Sequence, residues 1–182
     1  MDRPRIVAFG DSLTAGFGVP PERSYPAQLQ AALNSRGYHY EVVNAGVSGE
    51  TTAGGRRRLP WILKSSPEIV ILELGGNDGL RGLSLVDTRA NLDAIIRELK
   101  HAGVRVVLAG MKLPPNYGED YTRRFESIYH ELADRHGIVL IPFLLEGVGG
   151  NGALNQADGI HPTGEGYRIV TDTVMKVILP LL

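Results

Sequence analysis

The chain has 182 residues, 43% of them hydrophobic and 21% charged, an ordinary composition for a globular protein, and a chain of this size buries roughly 70% of its unfolded surface, so one self-supporting domain is expected. A formal charge of −1 offers no electrostatic reason for nucleic acid or an anionic membrane to be the main partner. The absence of cysteine excludes disulfides, thiolate metal sites and a cysteine nucleophile, and no apolar stretch approaches the ~18 to 20 residues of a membrane span.

The N-terminal "MDRPRIVAFG" leaves no room for an export signal ahead of the first apolar run. As written, the expected location is the cytoplasm, and the periplasm or exterior if a signal has been trimmed. Short apolar runs at Ile6–Phe9, Tyr40–Asn44, Ile69–Leu74, Val104–Ala109 and Ile138–Ile141 show little period-two alternation, as expected of strands buried on both faces of a parallel sheet. Between and after them, amphipathic stretches at Tyr25–Ser35, Thr52–Lys64, Thr88–Ala102, Tyr121–His136 and Gly164–Leu181 predict helices. Leu92, Ile95, Ile96 and Leu99 recur at helical spacing, and Gly37, Gly103 and Gly137 each follow a helical run where a left-handed residue suits the end. The run Arg56-Arg57-Arg58 reads as a solvated helix face. Strict alternation of strand and helix predicts a three-layer α/β/α sandwich on a mostly parallel, five-stranded sheet.

In such a sheet, ligands gather at the C-terminal ends of the strands. Polar or glycine-rich loops follow four of them: "GDSLTAG", "NAGVSGET", "GGNDG" and "GMKLPPNYG". Ser12 in the first admits three readings: a phosphate-cradling loop, a helix cap or a nucleophile. The loop lacks the Gly-Lys-Ser/Thr ending of a P-loop. A literal G-x-G-x-x-G at Gly147, Gly149 and Gly152 does not open a βαβ unit and reads as a loop. None of the five histidines falls in a zinc-binding pattern. His39, His101, His130 and His136 read as structural.

His161, in "DGIHPTGEGY", stands three residues after Asp158. That spacing places a carboxylate where it can accept from Nδ1–H and leave Nε2 as a base. The competing reading is a turn at Asp158 and a helix capped by Thr163. Backbone N–H groups of Ser12 and Gly46, with the Asn77 amide, can supply the donors that an oxyanion needs.

"GDSLTAG", "NAGVSGET", "GGND" and "DGIHP" resemble, in order and spacing, the four blocks of the SGNH hydrolases, also called the GDSL esterase/lipase family. The likeness runs from Gly10 to Pro162 and is greatest to the bacterial branch of acyl-CoA thioesterase/lysophospholipases and arylesterases. It implies a flavodoxin-like fold, no metal or organic cofactor, and a small ester or thioester as the partner. It also implies Ser12 as nucleophile, His161 as base and then acid, Asp158 as the orienting carboxylate, and Ser12, Gly46 and Asn77 as the oxyanion hole. The G-x-S-x-G elbow of α/β-hydrolases is absent. Asp11 is expected to hold the loop, and Leu13 to begin a helix whose positive end favours the oxyanion. Gly79, Leu80, Leu83, Leu113, Pro114 and Tyr117 are expected to line an acyl or aryl pocket. Two alternatives share the scaffold: a carbohydrate O-deacetylase and a non-catalytic flavodoxin-like binding module.

Overall fold

Residues 3–182 are described by a computed structural model. The five apolar runs form β1 (Arg5–Gly10), β2 (Glu41–Gly46), β3 (Ile69–Glu73), β4 (Arg105–Ala109) and β5 (Val139–Ile141). They pair in the order β2-β1-β3-β4-β5, every pair parallel. This is the flavodoxin-type order, whose switch point lies between β1 and β3. β1 and β3, paired on both sides, are buried almost throughout. β2 has only one neighbour and is half-exposed, so burial on both faces does not extend to this edge.

The helices are α1 (Ser12–Ala15), α2 (Tyr25–Ser35), α3 (Thr52–Lys64), α4 (Gly76–Leu80), α5 (Leu85–His101), α6 (Glu119–His136) and α7 (Gly164–Ile178). α2 packs against α7 on one side of the sheet, while α3, α5 and α6 pack side by side on the other. The apolar stripe of α5, with Leu92, Ile95, Ile96 and Leu99, is buried as its spacing predicts. Gly37, Gly103 and Gly137 have φ of 79°, 79° and 60°, the left-handed helix ends expected of them.

Three local features depart from the sequence reading. The helix after Ser12 is a single turn, ended by Gly16 at φ 81°, so little macrodipole accumulates there and individual N–H groups matter more. α4 is unexpected, because "GNDGL" carries no helical apolar period. It is fastened by Asp78, whose buried carboxylate accepts from the Thr52 N–H (2.8 Å), the Thr52 hydroxyl (2.7 Å) and the Thr88 hydroxyl (3.1 Å). Arg58 does not lie on a solvated face. It pairs with Glu50, donates to Gly10 O (3.0 Å) and Ala45 O (2.7 Å), and lies 4.6 Å from the Phe9 ring centroid. It thereby ties the ends of β1 and β2 together beneath the loops that follow them. Among the described residues, no helix is long and apolar enough to cross a membrane.

Candidate active site

Ser12 stands where β1 ends at the switch point. Asp11 caps the single turn that begins with Ser12, its Oδ1 accepting from the Leu13 N–H at 3.0 Å. The reading of Asp11 as a loop-holding residue therefore has a definite contact. Ser12 Oγ lies 2.9 Å from His161 Nε2, and His161 Nδ1 lies 2.5 Å from Asp158 Oδ2. An ionised carboxylate can only accept, so Nδ1 carries the hydrogen and Nε2 is left to accept from the Ser12 hydroxyl.

Asp158 fulfils both readings that the sequence left open. Its Oδ2 takes the imidazole hydrogen, while its Oδ1 accepts from the Ile160 N–H (2.9 Å) and the His161 N–H (3.0 Å), which makes the turn. These bonds, the His161 backbone N–H foremost, hold its pKa down at about 2. Thr163 caps α7, accepting from the Gly166 N–H at 3.2 Å. The histidine loop is further anchored by Gln156. Its N–H donates to His161 O (2.7 Å) and its side-chain amide to Phe17 O (2.7 Å) and Pro162 O (2.9 Å). The Phe17 ring lies against the imidazole, centroid to centroid 4.6 Å, although 49% of Phe17 is exposed. Neither residue falls in the motif blocks. An aromatic side chain one residue beyond the helix-ending Gly16 is the one available signal.

The oxyanion donors need one correction. The Ser12 N–H has no hydrogen-bond partner among the described residues. Asn77, in the first turn of α4, reaches across with Nδ2, donating to Glu50 O (2.9 Å) and Asp11 Oδ2 (3.2 Å). Gly46, however, is unavailable. Its N–H is held by Asn44 Oδ1 at 2.9 Å, and a Cβ there would fall 2.2 Å from Ala15 N, so its missing side chain lets β2 pack against α1. Gly49, later in the same "NAGVSGET", has the properties wanted. It is exposed, has φ +80°, and its N–H has no partner among the described residues. It occupies the turn closed by Glu50 N–H to Val47 O, and Glu50 is the residue whose carbonyl holds Asn77.

The expected pocket residues divide. Gly79 and Leu113 belong to the core: a Cβ on Gly79 would lie 2.7 Å from Phe125 and 2.8 Å from Leu113. Leu80 and Tyr117 are half-buried and Leu83 and Pro114 are exposed. The Tyr117 hydroxyl donates to Leu80 O at 2.8 Å, tying the two loops together. The exposed apolar side chains of this region include three that the motifs did not single out: Phe17, Val47 and Ile160.

A family model described as "GDSL-like Lipase/Acylhydrolase family" matches residues 8–169. Esterase TesA of Pseudomonas aeruginosa is 42% identical over 97% of this chain and 89% of its own. The "Thioesterase 1/protease 1/lysophospholipase L1" of Escherichia coli K12 is 38% identical over 97% of this chain and 84% of its own. Among solved structures, one described as the crystal structure of TesA superposes with a TM-score of 0.95 at 41% identity, covering 98% of this chain and 99% of that one. Built on the sheet of those hydrolases and carrying their sequence over nearly its whole length, the chain belongs to the GDSL-like lipase/acylhydrolase family and is an esterase.

Proposed function

We propose that the protein hydrolyses carboxylic esters or thioesters of small to medium acyl or aryl groups in two steps, with Ser12 as nucleophile. The observation that carries this reading is the unbroken hydrogen-bonded line from Ser12 Oγ through the His161 ring to Asp158. Ser12 Oγ attacks the carbonyl carbon as its proton passes to His161 Nε2. The tetrahedral intermediate collapses, and Nε2 returns the proton to the departing alcohol or thiol. Water, losing a proton to the same Nε2, then releases the acid from Ser12. Asp158 stays ionised and stabilises the imidazolium.

The oxyanion forms beside the Ser12 N–H and the Gly49 N–H, with one Asn77 amide hydrogen as the third donor. The amide stays held by Glu50 O and Asp11 Oδ2, and its hydrogen on the longer of those two bonds, toward Asp11, is the one shared with the developing oxyanion. Asn77→Ala is expected to lower kcat about 100- to 1,000-fold while KM changes by no more than a few-fold, because the amide acts on charge that develops only in the transition state. Steady-state kinetics on one soluble ester checks it. A variant with wild-type kcat would remove Asn77 from the hole.

The half-buried Leu80 and the exposed Phe17, Val47, Leu83 and Ile160 are the surface offered to the acyl or aryl group. The names of the relatives, esterase, thioesterase and lysophospholipase, agree with a site that accepts several leaving groups. Hydrolysis of p-nitrophenyl acetate, butyrate and octanoate, with and without EDTA, tests the reading. EDTA-insensitive turnover rising from acetate to the longer chains is expected. No turnover on any of the three, with release of acetate from sugar acetates instead, would replace it with the deacetylase reading.

A further inference from the structure

Beneath Ser12 lies a buried polar nest that the reaction above does not use. Glu73 ends β3 in register with Gly10 and is fully buried. Its Oε1 accepts from the Asp11 N–H (3.2 Å) and the Thr14 hydroxyl (2.8 Å), but its Oε2 meets no donor. The Asp11 carboxyl, equally withdrawn from solvent, lies in side-chain hydrogen-bonding contact with it. No lysine or arginine reaches either group among the described residues. The other groups facing the pair are the phenols of Tyr25 on α2, Tyr129 on α6 and Tyr167 on α7, with His161 and Glu50 further out. Tyr129 and Tyr167 donate to Leu74 O and Ser12 O, while the Tyr25 hydroxyl faces that of Thr14.

Two ionised carboxylates in contact, dry and without a cation, cannot persist. A single proton resolves both anomalies, because it removes one charge and gives Oε2 an O–H to donate.

We propose that Glu73 is a positioning residue for the oxyanion hole: held as the neutral acid, it donates its Oε2–H to the Asp11 carboxylate, and the pair sets the Ser12 turn and the Asn77 amide together. Asp11 is the joint, since the same carboxylate accepts from the Leu13 N–H beside the nucleophile and from Asn77 Nδ2. Burial first, and then the Asp11 charge, push Glu73 well above the ordinary carboxylate range, in the manner of buried acids kept neutral so that they can donate. The proposal rests on the reading of Ser12 and Asn77 given above. As pH rises through the raised Glu73 pKa, the second charge forces the carboxyls apart. The hole then spreads, and kcat falls more than KM changes.

Glu73→Gln tests this, because the amide keeps the acceptor for Asp11 N–H and Thr14, donates to Asp11, and cannot ionise. The conservative variant is expected to keep kcat within about threefold at pH 7 and to lose the alkaline fall in kcat. Glu73→Leu, which strands those two donors beside Asp11, is expected to lose about 10- to 100-fold in kcat. The sign for stability is also fixed: a raised folded pKa leaves its contribution intact below the ordinary value of 4.5 and removes it as pH climbs. The Tm of Glu73→Gln should therefore gain on wild type as pH rises above 4.5.

Infrared difference spectra of wild type minus Glu73→Gln at pH 7, taken without substrate, give an answer independent of turnover. A protonated-carboxyl stretch in wild type is expected. Carboxylate bands alone would overturn the proposal even where Ser12→Ala is inactive, and so would a Glu73→Gln protein of normal Tm as impaired as Glu73→Leu. Turnover surviving in Ser12→Ala would instead sink the catalytic reading, whatever the spectrum shows.

Discussion

Ser12→Ala is expected to lower kcat about 10⁴- to 10⁶-fold on any ester the wild type accepts, leaving only what the oxyanion donors and binding supply. The fold should not notice the change. Ser12 Oγ makes one hydrogen bond, to His161 Nε2, whereas the turn itself is held by the Gly16 and Phe17 N–H groups donating to the Ser12 carbonyl (3.0 and 3.1 Å) and by the Asp11 cap. His161 keeps Asp158 on one side and Phe17 on its face. A Tm within about 2 °C of wild type is therefore expected alongside the lost turnover. A wild-type burst of p-nitrophenolate matching the enzyme concentration, absent from the variant, would place the acyl group on Ser12. A variant retaining more than about one part in a hundred of wild-type kcat would show that the hydroxyl is not the attacking group, and the 2.9 Å contact would then be a structural bond.

Much of this was legible in the sequence because it depends on burial and turn chemistry, which leave marks in residue type. β3 and β4 are apolar over most of their length because both faces are covered, and the helix over Thr52–Lys64 ends where its pattern ends. What stayed hidden depends on contacts between distant segments. The helix over Gly76–Leu80 exists because Asp78 bonds residues from two other helices, and no local period announces it. Gly46 and Gly49 look alike in "NAGVSGET". One is a glycine because Ala15 sits where a Cβ would go, the other because a turn there needs positive φ, and only the second keeps its N–H free. In the sequence Arg58 is indistinguishable from its two basic neighbours, and only Glu50 and the β1 and β2 carbonyls around it set it apart. Asp158 shows a different limit: in the sequence a turn residue and a histidine orienter read as rivals, but a carboxylate has two oxygens and does both.

That double duty makes Asp158→Asn a severe change despite its small size, with an expected loss of about 10³- to 10⁴-fold in kcat. A water or a carbonyl can partly orient an imidazole, which by itself would make the effect mild. The turn argues otherwise. The Ile160 and His161 N–H groups demand an acceptor at the Oδ1 position, so the asparagine oxygen is drawn there and its NH₂ is turned toward His161 Nδ1. An NH₂ can only donate, which leaves Nδ1 bare and puts the ring hydrogen on Nε2, facing Ser12 Oγ. In that tautomer the imidazole cannot take the serine proton. Asp158→Ala leaves room for water at Nδ1 beside a carboxyl site already 38% exposed, so it is expected to retain more activity at neutral pH than the closer isostere. ¹⁵N shifts of the His161 ring nitrogens in the two variants check the tautomer directly, and an alanine variant slower than the asparagine variant would refute the argument. Stability gives a second check with a fixed sign. The Asp158 pKa falls from 3.8 to about 2 on folding, so its contribution is present above 3.8 and fades as pH drops toward 2. The Tm advantage of wild type over Asp158→Asn should narrow across that interval and hold steady above it.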